Sequence, residues 1–191
     1  MKKKIIVGIS GASGALYGLR LLEALKKTGS IELFLTISRT GKALLQDEIA
    51  PSALDQAISL ADHYYEAHEL TAPIASGSFI TDGMIIAPCS AKTLAAIAHG
   101  FGDTLLTRAA DVTLKERRRL VLLFRETPLH LTHLDNMSQV TRMGGVILPP
   151  VPAFYHRPAS IDDIVSQSIG KALDLFSIDH TLYRRWGSSF A

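Results

Sequence analysis

Apolar residues fall into short unbroken runs, separated by stretches where they recur every third or fourth position. Residues 4–10 (KIIVGIS), 31–37 (IELFLTI), 84–87 (MIIA), 120–124 (LVLLF) and 145–148 (GVIL) are predicted as buried strands, the third closed by Pro88. Residues 15–28 place Leu16, Leu19, Leu22 and Leu25 on adjoining faces, with Arg20, Lys26 and Lys27 outward and Gly29 as the stop, so a helix is expected. Helical spacing also covers 41–48, 52–61 with Ser52 as its N-cap, 91–99, 103–117 and 131–142. Residues 62–77 read as loop with a short strand, and Pro149, Pro150, Pro152 and Pro158 mark a stiff extended segment. Ser160 caps a last helix carrying Ile161, Ile164, Val165, Ile169, Ala172, Leu173 and Phe176 on one stripe.

Strands without polar alternation, each followed by a helix, imply a parallel sheet covered on both faces. The 191 residues are too few for a closed eight-fold barrel. The expected fold is therefore α/β: a three-layer, doubly wound open parallel sheet of Rossmann-like or flavodoxin-like kind. One domain spans 1–191, with a C-terminal helix and tail from about residue 160. Composition agrees, since 47% hydrophobic and 20% charged residues describe a folded core. A net charge of +2 gives no overall pull toward nucleic acid, so an anion site has to be built locally. The single cysteine, Cys89, excludes an intrachain disulfide and a cysteine-based zinc site and suits a reducing compartment. Lys2, Lys3 and Lys4 precede an apolar run too short for a signal peptide, and no run approaches a membrane span, so a cytoplasmic protein is expected.

Ligands of doubly wound sheets bind beyond the carboxyl ends of the strands. The first strand runs into Gly11-Ala12-Ser13-Gly14, where small residues admit a close ligand and the next helix offers N–H groups to a phosphate. The lysine-bearing phosphate loop and the G-x-G-x-x-G spacing are both absent. The second strand ends in Ser38 and Arg39 rather than the acid a dinucleotide ribose requires. A mononucleotide such as FMN fits better than NAD. The third strand ends in Pro88-Cys89-Ser90-Ala91-Lys92-Thr93, where Ser90 serves a flavin, caps a helix, or does both; Cys89 reads as buried filler. The fourth ends in Arg125 and Glu126, a phosphate clamp and a proton carrier, or else a structural ion pair. Arg108, Asp111 and Lys115 share a helix face. His130 and His133 have no third metal ligand nearby and read as packing or capping groups.

The blocks GISGASG, ASGSF-x-TDGM, PCSAKT, RAADV-x-LKERR, RETPL-x-x-x-HL-x-NM and P-x-PAFYHRP occur in this order. Together they resemble the UbiX-type flavin prenyltransferases over residues 3–186. The resemblance implies an enzyme that attaches a dimethylallyl group, from dimethylallyl monophosphate, to N5 and C6 of reduced FMN. The product, prenylated FMN, serves UbiD-type decarboxylases. It further implies FMN contacts from Gly11, Ala12, Ser13, Ser38, Ser90, Ala91, Lys92, Thr93 and Arg125. Ser76, Lys115 and Glu126 stand near the reacting centre. Arg108, Lys115, Tyr155, Lys171 and Trp186 form the prenyl-phosphate pocket. The family commonly has arginine at the position of Lys171, so the planar fork is lost there while the charge is kept.

The implied chemistry needs cationic donors for a departing phosphate and a carboxylate for protons, and no metal. A homo-oligomer, a trimer-based dodecamer with shared active sites, is implied as well. Two alternatives remain at this point. A flavin-dependent cysteine decarboxylase would carry a PASANT-like block where this chain has PCSAKT, and would have no use for a second cationic pocket. An FMN-binding subunit without catalysis would have no use for Glu126, Lys115 and Tyr155.

Overall fold

The computed structural model describes residues 2–187. In chain order the elements are β1 (Lys3–Ile9), α1 (Ala15–Lys27), β2 (Ile31–Ile37), α2 (Arg39–Glu48), α3 (Ala53–Leu60), β3 (His63–Glu66), β4 (Gly83–Cys89), α4 (Ala91–Ala98), α5 (Leu105–Lys115), β5 (Arg119–Phe124), α6 (Leu131–Arg142), β6 (Val146–Ile147) and α7 (Ile161–Leu175). The strands form one six-stranded sheet in the order β3-β2-β1-β4-β5-β6, and every neighbouring pair is parallel. Winding runs one way from β1 to β3 and the other way from β4 to β6, so it reverses between β1 and β4.

Successive strand side chains point to opposite faces, and this alternation divides the core in two. Ile5, Val7, Ile9, Leu33, Leu35, Ile37, Val121 and Leu123 meet α1, α2, α3 and α7 on one face. Ile6, Phe34, Met84, Ile86, Leu120, Leu122 and Phe124 meet α4, α5 and α6 on the other. The helix α7 is held chiefly by Val165, Ile169 and Leu173, each at most 3% exposed. Burying side chains of this size contributes roughly 1.5–3 kcal/mol apiece. The half-exposed Arg20–Asp162 ion pair between α1 and α7 (2.8 Å) adds at most about 1 kcal/mol. Packing decides where α7 lies.

Three expectations need correction. Pro88 does not close β4, which continues to Cys89. The ladder to β5 shifts register between Ile86 and Cys89, and an irregular position of this kind tolerates a residue without an N–H. Ser52 precedes α3 in helical backbone conformation and makes no side-chain cap. Ile161, expected on the buried stripe of α7, is 73% exposed because it opens the first turn. Ser160 does cap that helix, accepting from the Asp163 N–H at 3.1 Å while Asp163 reaches back to the Ser160 N–H at 2.9 Å.

Candidate functional site

Reversed winding leaves a crevice between the carboxyl ends of β1 and β4. Its floor is joined by Ser10, which is 1% exposed. The Ser10 hydroxyl donates to the Pro88 carbonyl (2.9 Å) and accepts from the Ser90 N–H (2.8 Å). Above it lies a cavity of about 400 Å³, within the size range of small-ligand pockets.

Three helices begin at this cavity. Ser38 caps α2 by accepting from Gly41 N–H at 3.0 Å, and Ser90 caps α4 by accepting from Thr93 N–H at 3.2 Å. Thr104 caps α5 through Thr107 N–H at 3.3 Å. All three cap residues line the cavity, so the positive ends of three helix dipoles converge on it. Arg39 and Lys92 add full positive charge, and Thr40, Thr93 and Thr107 add hydroxyls. Asp103 and Glu126 place carboxylates in the same wall. Gly11 completes it; a Cβ there would stand 2.6 Å from Thr40 Cβ, so only glycine lets the turn lie against the start of α2. Hydroxyls and cations at helix N-termini suit the phosphate and ribityl hydroxyls of a mononucleotide.

Of the residues expected from sequence to meet FMN, Gly11, Ser38, Ser90, Ala91, Lys92 and Thr93 line this one cavity, as does Glu126. Glu126 also accepts from the N–H of Thr127 at 3.0 Å. Arg125 turns to the adjoining β1 turn, where its Nε donates to the Ser13 carbonyl at 3.1 Å. Within that turn Ala12 is buried and Ser13 is exposed. The expectation that the N-terminus of α1 receives a phosphate is not met. Glu48, at the end of α2, already accepts from the N–H groups of Gly14 and Ala15, both at 2.8 Å. Burial pushes the Glu48 carboxyl up, but hydrogen bonds from Ser13, Ala15 and Gly14 and the nearby Arg125 charge outweigh it and hold the group below the usual carboxylate range.

The remaining expected residues form two further groups, neither of which lines the cavity. Arg108 donates from Nε to the Ala75 carbonyl (3.2 Å) and pairs with Asp111 (2.8 Å). Lys115 pairs with Glu116, and both pack over Gly77, where a Cβ would come within 2.7 Å of Lys115 Nζ. Ser76 sits in the same corner, its hydroxyl 2.9 Å from that of Ser78. In the third group Tyr155 and Trp186 meet edge to face, 5.5 Å between ring centroids and 86° between planes. Lys171 is exposed on α7.

Burial drives the Cys89 thiol far above its usual range, in keeping with its reading as filler. His130 and His133 stack at 3.7 Å at the start of α6. Sequence reasoning missed Glu48, Asp103, Thr104 and Thr107. A signal existed for Glu48: it is a carboxylate in the last turn of a helix with no base there, where the dipole disfavours it.

An open parallel sheet with a cavity at its winding reversal, lined by the N-termini of three helices, defines a nucleotide-binding α/β protein. The profile of the Flavoprotein family matches residues 1–173. The flavin prenyltransferase UbiX of Neisseria meningitidis serogroup B is 54% identical over 186 residues, 97% of each chain. A crystal structure of AnUbiX (PadA1) in complex with FMN and dimethylallyl pyrophosphate superposes with a TM-score of 0.95 at 46% identity, covering 99% of this chain and 100% of the other. The dodecameric FMN-dependent UbiX-like decarboxylase of Escherichia coli O157:H7 gives a TM-score of 0.93 at 45% identity, covering 97% of this chain and 100% of the other. The chain belongs to the Flavoprotein family, among its UbiX flavin prenyltransferases.

Proposed function

We propose that this chain is a flavin prenyltransferase that moves a dimethylallyl group from dimethylallyl monophosphate to N5 and C6 of reduced FMN. The observation that carries the reading is the carboxylate of Glu126 in the wall of the same cavity as Ser38, Ser90 and Thr93. The cavity therefore combines hydroxyls and cations suited to a mononucleotide with a group able to carry protons.

In this reading Ser38, Ser90, Lys92 and Thr93 bind the polar substituents of FMN, and Gly11 and Ala91 let it approach the backbone. Arg125 holds the Gly11–Ser13 turn, with its buried Ala12, through the Ser13 carbonyl. Reduced FMN supplies, when bound, the electron-rich ring that takes up the carbon fragment. Arg108, Lys115, Lys171 and Tyr155 stabilise negative charge gathering on the departing phosphate, and Ser76 stands beside Lys115. Glu126 takes up protons on its carboxylate oxygens as the new bonds form. Trp186 and Tyr155 enclose the apolar prenyl group.

In this reading Arg108 and Lys115 of one subunit meet the Tyr155–Trp186 pair of a neighbouring subunit in a shared site. Val151 (70% exposed), Phe154 (73%) and Ile161 (73%) offer apolar surface for that contact. The working unit in this reading is a trimer-based homododecamer, and each chain is one FMN-binding domain over 1–191. Residues 188–191 lie outside those described. The product passes to a UbiD-type decarboxylase in the cytoplasm. Among the described residues no helix is long and apolar enough to cross a membrane.

The deciding experiment incubates the protein with reduced FMN and dimethylallyl monophosphate under anaerobic conditions. Mass spectrometry of the released flavin is expected to show the gain of one dimethylallyl group. Unmodified flavin after prolonged incubation overturns the proposal.

A further inference from the structure

No residue after Ile178 is buried in the chain's described C-terminal segment; only Leu182 and Tyr183 are half-covered beyond His180. Leu182 packs against the core, and the polar groups of the tail converge on one carboxylate. Asp174, in the last turn of α7, accepts from Tyr183 Oη (2.6 Å), from Arg185 Nη1 (3.1 Å) and Nη2 (2.6 Å), and from His180 Nε2 (3.0 Å). A carboxylate at a helix C-terminus opposes the helix dipole, and α7 has no base in its last turn to offset it. Asp174 is thus stabilised by the tail, and the tail by Asp174.

The rest of the tail geometry serves the same docking. The side chain of His180 is 4% exposed, and its Nδ1 accepts the Leu182 N–H at 3.2 Å. Nε2 therefore carries the proton and donates to Asp174. Gly170, one turn back on α7, makes room for the tail. A Cβ there would stand 2.5 Å from Tyr183 Cδ1 and 2.8 Å from His180 Cε1. Trp186 follows Arg185 directly, so the bidentate Arg185–Asp174 contact sets where its ring begins. That ring meets Tyr155 edge to face.

We propose that Asp174 is a positioning residue for the prenyl donor: bonded by His180, Tyr183 and Arg185, it docks residues 180–186 on α7 and so holds Trp186 against Tyr155. The inference rests on the reading of Tyr155 and Trp186 as donor-pocket residues. Asp174 itself touches no substrate. Its effect is on the fraction of molecules whose tail is docked, and an apparent dissociation constant scales inversely with that fraction.

Trp186 is the single tryptophan of the chain, so its fluorescence reports the tail alone. Asp174→Asn removes the charge, and Gly170→Ala pushes the tail off by a different route while leaving the carboxylate intact. In both variants we expect acrylamide quenching of Trp186 to increase. The KM for dimethylallyl monophosphate is expected to rise about ten-fold, as it would if one tail in ten stayed docked. FMN affinity and kcat stay unchanged. If quenching is unchanged in both variants, or increases while KM stays put, or if FMN affinity falls in parallel, the positioning role of Asp174 is overturned. Wild-type protein that forms no prenylated flavin overturns the donor-pocket reading and this role with it, whereas an active wild type with unaltered variants overturns this role alone.

Discussion

Glu48 Oε2 lies 2.8 Å from the backbone nitrogen of Ala15, so a carboxylate from the end of α2 caps the first turn of α1. Two otherwise unpaired N–H groups at the start of α1 are satisfied by one acid. Glu48→Ala is expected to destabilise the fold by about 0.5–2 kcal/mol, the cost of losing a helix cap. Urea unfolding followed by far-UV circular dichroism measures it. Because the folded-state group titrates below its ordinary value, this contribution is present above that value and lost as pH falls below it. A variant as stable as the parent at neutral pH refutes the capping role.

Glu126→Gln is expected to bind FMN as the parent does, since Ser38, Ser90 and Thr93 remain in the cavity wall. Prenyl transfer should fall by about 10²–10⁴-fold, the usual contribution of a positioned acid–base group. Flavin titration alongside a single-turnover assay separates the two effects. Unchanged turnover would make Glu126 a structural partner only.

Lys171 carries a compact ammonium on an exposed face of α7. A hydrogen bond to a charged group is worth roughly 1.5–3 kcal/mol, so Lys171→Ala should raise the KM for dimethylallyl monophosphate about ten- to a hundred-fold. FMN affinity should not move. Lys171→Arg should match or improve on the parent, because the guanidinium fork suits phosphate. Steady-state kinetics that show no change in the alanine variant would leave the phosphate to Arg108, Lys115 and Tyr155.

The docked tail should be released by acid and by strong base. Burial pushes the Asp174 carboxyl up, but hydrogen bonds from Arg185, Tyr183 and His180 prevail and bring it from 3.8 down to about 2. Burial and the bond to Asp174 push the Tyr183 phenol from 10.0 up to about 12. A depressed acid stabilises the docked state above its ordinary value and loses that effect as pH falls from 3.8 toward 2. A raised phenol stabilises it below 10.0 and loses the effect as pH rises toward 12. Trp186 quenching should therefore increase as pH falls from 3.8 toward 2 and again as it rises from 10.0 toward 12. Quenching unchanged at both extremes would contradict this assignment.

Phe154→Asp is expected to reduce the size of the assembly, because it puts a charge on the most exposed apolar part of the proline-rich segment. Multi-angle light scattering on the variant and the parent decides this. Assemblies of equal mass would place the subunit contact elsewhere.

Local periodicity made most of the architecture legible from the sequence. Residues 31–37 and 131–142 were readable to the residue, because apolar runs and stripes there end at clear breaks. The continuation of β4 past Pro88 was not, since it depends on a register shift against β5 that no local pattern encodes. The same division holds in the site. Residues following a strand, such as Ser38, Ser90 and Glu126, could be found by their position alone. Glu48 reaches α1 from 34 positions away, and the donors gathered on Asp174 come from a tail with no periodic pattern. Such contacts are fixed by tertiary packing, and the spacing of residue types says little about them.

The buried hydroxyl of Ser10 bridges the carboxyl ends of β1 and β4 with one donated and one accepted hydrogen bond. These ends border the gap where winding reverses, the one place in the sheet where no crossover helix spans two neighbouring strands. With the seam closed by a side chain from within, the two strand ends are held together without help from a ligand. The entropic cost of joining them falls on folding and is absent from binding. Association with FMN should then follow a single concentration-dependent exponential with no slower isomerisation, the kinetic signature of a receptor that meets its ligand ready-made.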